Sequence, residues 1–515
     1  MKKLLIILSV FFIGFACDVD YENSPNSITV PPTSGLLNGA TKRVADDLYD
    51  QWFSGRFTQV VMQYWTQTAY ADEDRYVFRE SQRETWEDFY YNLESYRKII
   101  ALNTDEETKG TMLAYGANEN QIGVARILMS WVFNIMADTW GDIPYYSYGS
   151  DNANFQALAV ADADEEILAP KYATQQEIYA DILSELQSAA QMMDASKKGM
   201  EGDNIYHGDV DAWKRFANSL RLRIAVKIQD ADPGLAESHI NSAISAGVIA
   251  SNNDNADFEY EANALNGAPM YRAYNVDKRT DFALGHSFVE LLKGDNLVHG
   301  SEIVVQNPFE GISDPRLPIY AQPNSEGTII GMPSVTSSAE SQVISWRSLP
   351  GDAIINTPDF EQPILEYPEV CFLLSEVNNW DQEWYEKGTR ASMENWGVSA
   401  EEIDAYIAQL PAASEETVLT QKYIALYMDP HTAWAEYRRT GYPEFIIKPG
   451  TTYTARGVSG DVEYTFTSLI DGMTDLPKRL QYPDFERTLN GKNRTEAVSR
   501  MSNGDALNSP LWWDK

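Results

Sequence analysis

Two stretches of the chain carry residues able to hold a ligand. The first runs Tyr64-Trp65-Thr66-Gln67-Thr68-Ala69-Tyr70-Ala71-Asp72-Glu73-Asp74-Arg75-Tyr76-Val77-Phe78. The second is Asn266-Gly267-Ala268-Pro269-Met270-Tyr271-Arg272-Ala273-Tyr274-Asn275, followed by Arg279 and Asp281. Both interleave aromatics with polar and charged residues, and both lose helical spacing. A sugar ring has an apolar C–H face that stacks on Trp or Tyr, and each such ring offers about 150–250 Å² to bury. Hydroxyls then need Asn, Asp, Gln or Arg at the rim. The expected ligand-binding set is Trp65, Tyr70, Tyr76, Tyr271, Tyr274, Arg279 and Asp281. Peptides would use the same surface through free backbone groups. A weaker third stretch is Trp380-Asp381-Gln382-Glu383-Trp384, whose tryptophans are spaced to share one helical face.

Catalytic chemistry has no comparable signature. The sequence contains no G-x-S-x-G elbow, phosphate-binding P-loop or dinucleotide fingerprint. His207, His239, His286, His299 and His431 are scattered, without the i, i+4 spacing of a helical metal site. Gly285-His286-Ser287 reads as a helix start. With 76 acidic residues, no carboxylate pair can be singled out for glycoside hydrolysis. Asp162, Asp164, Glu165 and Glu166 could hold a structural calcium ion, but no EF-hand spacing is present. The expectation is a binding protein, not an enzyme, without a cofactor. A secreted glycan hydrolase is the remote alternative.

The N-terminus sets the compartment. Lys2-Lys3, the apolar run Leu4–Phe12 and Gly14-Phe15-Ala16-Cys17 form a secretory signal with a lipobox-like end. The apolar run is about half of the ~20 residues that span a bilayer. Cleavage would leave Cys17 first and free for acylation, and several acyl chains make a firm anchor. Forty basic against 76 acidic residues give a net charge of −36. Such a surface repels nucleic acid and anionic lipid headgroups. Only two cysteines occur in the chain, so no disulfide framework is expected. Cys371, within an apolar run, reads as a core thiol.

The elements that must position these residues are mainly helical. Residues 1–16 are read as the signal, 17–35 as a flexible tether and 36–515 as one large domain. Thr174-x-x-Glu177 is a capping box, and Ile178, Ile182, Leu186, Ala189 and Met193 follow at helical spacing. Trp213, Phe216, Leu220, Ile224 and Ile228 repeat the pattern. Further helices are predicted over Leu48–Gln67, Arg83–Leu102, Asn118–Asp138, Pro233–Ala246, Phe282–Leu292, Val370–Glu376 and Thr417–Tyr427. Their pairing suggests tetratricopeptide-like hairpins, though no strict 34-residue period is present. Long loop-rich insertions, Gly247–Asp281 and Asn307–Glu369, would form the ligand face.

Motifs in order along the chain then point to a family. They are Trp140-Gly141-Asp142-Ile143-Pro144-Tyr145, the run Trp213–Ala225, Asp314-Pro315-Arg316-Leu317, Gln421-Lys422-Tyr423 and Trp434–Pro443. Pro477-Lys478-Arg479-Leu480-x-Tyr482-Pro483 and the tail Pro510–Lys515 complete the set. With these the chain resembles the SusD/RagB family of outer-membrane nutrient-binding lipoproteins, in its SusD-like-2 branch. The resemblance implies a lipid-anchored protein facing the cell exterior. It implies capture of oligosaccharide, or peptide, and delivery to a SusC-like TonB-dependent transporter on which the protein acts as a lid. It also implies that the region after the first long helix contributes to the ligand face. The motifs themselves are expected to be scaffold, with Gly141 and Pro144 shaping a turn and Trp512-Trp513 docking the terminus.

Overall fold

The computed structural model describes residues 30–158 and 167–514. Cys17 and the Asp162–Glu166 acids lie outside these residues. The chain divides between Pro32 and Thr33, and Thr33–Lys515 forms one compact unit. The first helix, α1 (Thr33–Tyr49), begins directly after Pro31-Pro32, so residues 33–35 are helical where the tether was expected.

Helices α1, α2 (Glu80–Thr104), α3 (Asn118–Trp140), α4 (Gln175–Met192), α5 (Val210–Lys227) and α6 (Pro233–Ala246) each pack on the next. This consecutive pairing is the tetratricopeptide-like scaffold, and the structure is mainly helical. Local sequence explains the starts. Thr174 Oγ1 accepts from Glu177 N at 3.3 Å, and Glu177 Oε2 accepts from Thr174 N at 2.9 Å, closing the predicted capping box of α4. Asp209 and Asp232 cap α5 and α6, the latter with Pro233 in its first turn. Helix α3 is apolar and long enough to cross a membrane, but its apolar stretch is wholly buried inside the protein and forms a central core helix.

A second group follows: α7 (His286–Lys293), α8 (Tyr367–Val377), α9 (Gln382–Asn395), α10 (Ala400–Ile407), α11 (Glu415–Ala425) and α12 (Pro430–Thr440). Helix α8 packs against α9, α11 and α5, joining the two groups. Cys371 is buried within it.

Among the described residues, strands occur only as four antiparallel pairs. Strand β1 (Trp65–Gln67) pairs with β3 (Phe282–Leu284), and β2 (Ala256–Phe258) with β6 (Gln362–Leu365). The other pairs are β4 (Leu297–His299) with β5 (Glu302–Val305) and β7 (Thr452–Gly457) with β8 (Gly460–Thr465).

Three expectations are corrected here. The helix predicted over Leu48–Gln67 is four pieces: the end of α1, a π-turn over Ser54–Thr58, a short helix over Gln59–Val61 and β1. Asp50 starts the break, because its carboxylate accepts from both Trp52 N and Phe53 N at 2.7 Å. The helix predicted over Phe282–Leu292 opens instead as β3, and Gly285 then caps α7. A Cβ at Gly285 would sit 2.2 Å from Gln63 O, so only glycine permits this approach of β3 to β1. Trp380 and Trp384 do not share a helical face, because Trp380 lies outside α9 at φ +62°.

Candidate ligand-binding site

Pairing of β1 with β3 brings together residues more than 200 positions apart. Thr68 N donates to Asp281 O at 2.7 Å, and Thr68 Oγ1 donates to Thr280 O at 2.8 Å. The loop after β1 is pinned from below. Asp74 accepts from Thr66 Oγ1 at 2.5 Å and from Gln67 N at 3.0 Å, while Gln67 Nε2 donates to Glu73 Oε2 at 2.9 Å. Burial raises the Asp74 carboxyl to about 7, against the pull of those donors. Ala71 N is held by Ser338 Oγ at 2.8 Å. Between these anchors Tyr70 sits at φ +57°, a left-handed conformation costing a non-glycine residue about 1–3 kcal/mol. Its ring is 57% exposed. The anchored loop thus presents an aromatic face to solvent.

Charged groups pack around that face. The Arg56 guanidinium, on the π-turn, is fully buried; its Nη2 lies 2.5 Å from Asp281 Oδ2 and its Nη1 3.8 Å from Glu73 Oε1. Arg79 Nε lies 2.7 Å from the same Glu73 oxygen, and Arg279 Nη1 is 3.5 Å from Asp281 Oδ2. Three guanidinium groups therefore share two carboxylates. Arg56 lies 5.1 Å from the Trp52 ring centre and 5.8 Å from that of Tyr70. Arg79 is 5.7 Å from Tyr70, and Arg279 is 5.5 Å from Trp52. Burial lowers the affinity of Arg56 for its proton, and Glu73 and Asp281 oppose that shift. The Arg79 and Arg279 side chains are 44% and 41% exposed. The face can stack an apolar ring on Tyr70 and the half-buried Trp52, and offer guanidinium donors to oxygen acceptors beside it.

The expected residues separate into a cluster of three, three core positions and Tyr271. Tyr70, Arg279 and Asp281 come together in this cluster. Trp65, Tyr76 and Tyr274 do not present a face to solvent and are corrected to core positions. Trp65 is fully buried and donates from Nε1 to Tyr427 OH at 2.8 Å. Tyr76 is 1% exposed and packs on Phe466, and buried Tyr274 donates to Phe282 O at 3.0 Å. Trp65 points inward because β1 is buried on both faces. Tyr271 is half-buried at a short helical turn, where the neighbouring Arg272 lies 3.6 Å from Asp46. Trp52, Arg56 and Arg79 were missed. The usable signal was Asp50 followed by Ser54-Gly55, which breaks the helix and frees Trp52.

The SusD-like_2 family profile, described as "Starch-binding associating with outer membrane", matches residues 25–459. The chain belongs to this SusD-like family. A second profile, "Susd and RagB outer membrane lipoprotein", matches residues 412–514. Solved structures agree in fold. A SusD homologue from Parabacteroides distasonis superposes with a TM-score of 0.74 at 23% identity, over 95% of this chain and 98% of its own. A chain described as a chitin-binding protein gives 0.73 at 23% identity, over 94% of this chain and 100% of its own. A chitin-binding SusD homologue from Flavobacterium johnsoniae gives 0.70 at 20% identity, over 94% and 98%. No curated protein sequence matches the chain significantly.

The SusD-like motifs build the scaffold. Gly141 ends α3 at φ +89°. Lys227 Nζ lies 2.6 Å from Asp138 Oδ2, both side chains being buried, and Asp138 also accepts from Tyr179 OH at 2.5 Å. Arg438 stacks 3.4 Å over the Trp434 ring and donates to the carbonyls of Asp138 and Lys478. Trp513 Nε1 donates to Tyr179 OH at 2.8 Å, which docks the C-terminus on α4. Arg316 is wholly buried on Asp314, Ser392 and Gln421.

Proposed function

We propose that this SusD-like protein is a cell-surface lipoprotein that captures oligosaccharide on the Trp52–Tyr70 face and passes it to a SusC-like TonB-dependent transporter. The observation that carries the reading is Tyr70: an exposed ring held on a pinned loop and flanked by guanidinium donors. Binding proceeds by stacking and hydrogen bonding, and no bond is broken. Cys17 carries the lipid, and the body acts as a lid on the barrel. Two structural relatives described as chitin-binding make chito-oligosaccharides the first ligands to try, and the family description adds malto-oligosaccharides.

Calorimetry with both oligosaccharide series tests the reading. Saturable binding is expected for at least one series, with no new reducing ends on long incubation. Release of reducing ends would replace the binder with a hydrolase. Extraction in mild detergent should recover the protein with a barrel about twice its size; consistent recovery alone, with other outer-membrane complexes intact, would remove the lid role. Cys17→Ser should abolish partitioning into detergent, and unchanged partitioning would remove the anchor.

A further inference from the structure

A cavity that shares no residue with the Trp52–Tyr70 face lies between the β2–β6 pair and the C-terminal end of α9. Its volume is about 390 Å³, within the roughly 300–1,000 Å³ of small-molecule sites. Asp257, Glu361 and Glu366 line it together with Asn252, Phe360 and Trp396. No lysine or arginine is among the described lining residues. The nearby Arg223 spends its charge on Glu369, at 2.7 Å, and Asp429, at 3.7 Å.

Acceptors in this cavity exceed donors. Glu366 occupies the N-cap position of α8, yet its side chain does not cap that helix; it accepts from the Asn255 and Asn395 amides at 3.3 and 2.8 Å. Asp257 Oδ1 and Asn252 Oδ1 are both buried and have no hydrogen-bond partner. Asn252 spends its amide on Ala391 O at 3.1 Å. Burial pushes the Asp257 carboxyl up to about 8, with Glu361 and Glu259 adding to the shift. Glu366 is raised by burial and then by Asp257, Asp429 and Glu369. An unpartnered buried acceptor costs about 1–3 kcal/mol, so a donor-rich occupant is favoured.

We infer that this cavity is a second ligand site, which takes the protonated primary amine of a small organic molecule. An ammonium has three donors and no acceptor, the complement of Asp257 Oδ1, Asn252 Oδ1 and the Glu366 carboxyl oxygens, and its charge favours loss of the protons that burial holds on the two acids. The Phe360 and Trp396 rings, 6.1 Å apart and tilted by 38°, supply the apolar and cation-binding wall. A metal ion fits less well, because the described residues contain no group of three acidic, histidine or cysteine side chains placed to ligate one. The site shares no residue with the Trp52–Tyr70 face, and its test is independent of sugar capture there.

Calorimetry at about pH 7.5, where a bound ammonium can displace the protons held on these acids, distinguishes the donors in the full mature protein. D-Glucosamine should bind at least 10-fold more tightly than D-glucose or N-acetyl-D-glucosamine. N-Acetyl-lysinamide, run in parallel, tells an amino sugar from a lysine side chain as the natural source: whichever binds tighter names it. Asp257→Asn and Glu366→Gln, whose amides mimic the protonated carboxyls and should keep the fold, should each weaken glucosamine by 10-fold or more at unchanged melting temperature or above. Binding of neither amine, equal affinity for glucose and glucosamine without binding of N-acetyl-lysinamide, or full affinity for the bound amine in both folded variants would overturn the site. Calcium chloride binding that Asp257→Asn abolishes would assign the cavity to a metal and overturn it equally.

Discussion

The Trp52–Tyr70 face and the Asp257–Glu366 cavity solve the burial of charge in opposite ways. At the face, three guanidinium groups meet two carboxylates, and the fully buried Arg56 and Glu73 sit beside opposite charges. In the cavity, carboxylates gather with no cation, and one is pushed up to about 8. Burying an ion without a partner costs several kcal/mol, so the group takes up a proton instead. The charges of the face are therefore balanced before any ligand arrives, although Arg56 Nε and Nη1 and Glu73 Oε1 make no hydrogen bond, and a ligand there would add stacking and hydrogen bonds. The cavity is unfinished, and an occupant would complete its electrostatics.

Removing a charge from each region should have opposite effects. Arg56→Ala would remove the one fully buried cation of the face, leaving Glu73 only Arg79 and Asp281 only Arg279 as partners. Truncating one partner of a buried ion pair costs about 3–5 kcal/mol, and urea unfolding should show a loss of that size. A loss below about 1 kcal/mol would mean that the pairing is as weak as at an open surface.

In the cavity the sign reverses. Asp257 holds its proton more tightly folded than unfolded, so wild-type stability should fall as pH rises from its ordinary value of 3.8 through about 8. Asp257→Asn removes that dependence and should be more stable at alkaline pH by at least about 1.4 kcal/mol, the worth of one pKa unit. Melting curves across that range read the effect; parallel curves for the two proteins would show that Asp257 is not held protonated.

Smaller effects separate core aromatics from the presented one. Tyr274→Phe loses one buried hydrogen bond to Phe282 O. It should cost about 0.5–1.5 kcal/mol of stability and leave oligosaccharide affinity unchanged. A drop in affinity without a drop in stability would move Tyr274 back to the ligand face. Tyr91, exposed on α2 away from both regions, should change stability by no more than about 0.5 kcal/mol when replaced by Ala.

Regular helices were legible in the sequence, and the segment that builds the face was not. Helix α4 announced itself through Thr174 and Glu177, and α3 through its helical spacing, because local hydrogen bonding and periodicity alone decide such elements. The Leu48–Gln67 stretch kept helical spacing in Phe53, Phe57, Val60 and Tyr64, all buried. That spacing survives through a π-turn and a three-residue helix, so periodicity could not reveal the break. The partner of β1 lies beyond residue 280, and no local signal specifies such a pairing. Burial of Trp65 and Tyr76 follows from that ladder and from Phe466, hundreds of residues away. Tyr70, Arg279 and Asp281 were legible by composition and Trp52 through the break at Asp50 and Ser54-Gly55; Arg56 and Arg79 became visible only in three dimensions.

The central claim is that an exposed aromatic on a pinned loop captures the ligand. Tyr70→Ala tests it most directly, because the ring is exposed and its loss leaves the core intact. Calorimetry against the best-binding oligosaccharide should show affinity reduced by roughly 10-fold or more, about 1.4 kcal/mol, with an unchanged melting temperature and far-UV spectrum. Wild-type affinity in the folded variant would contradict the account and place the sugar elsewhere on the protein.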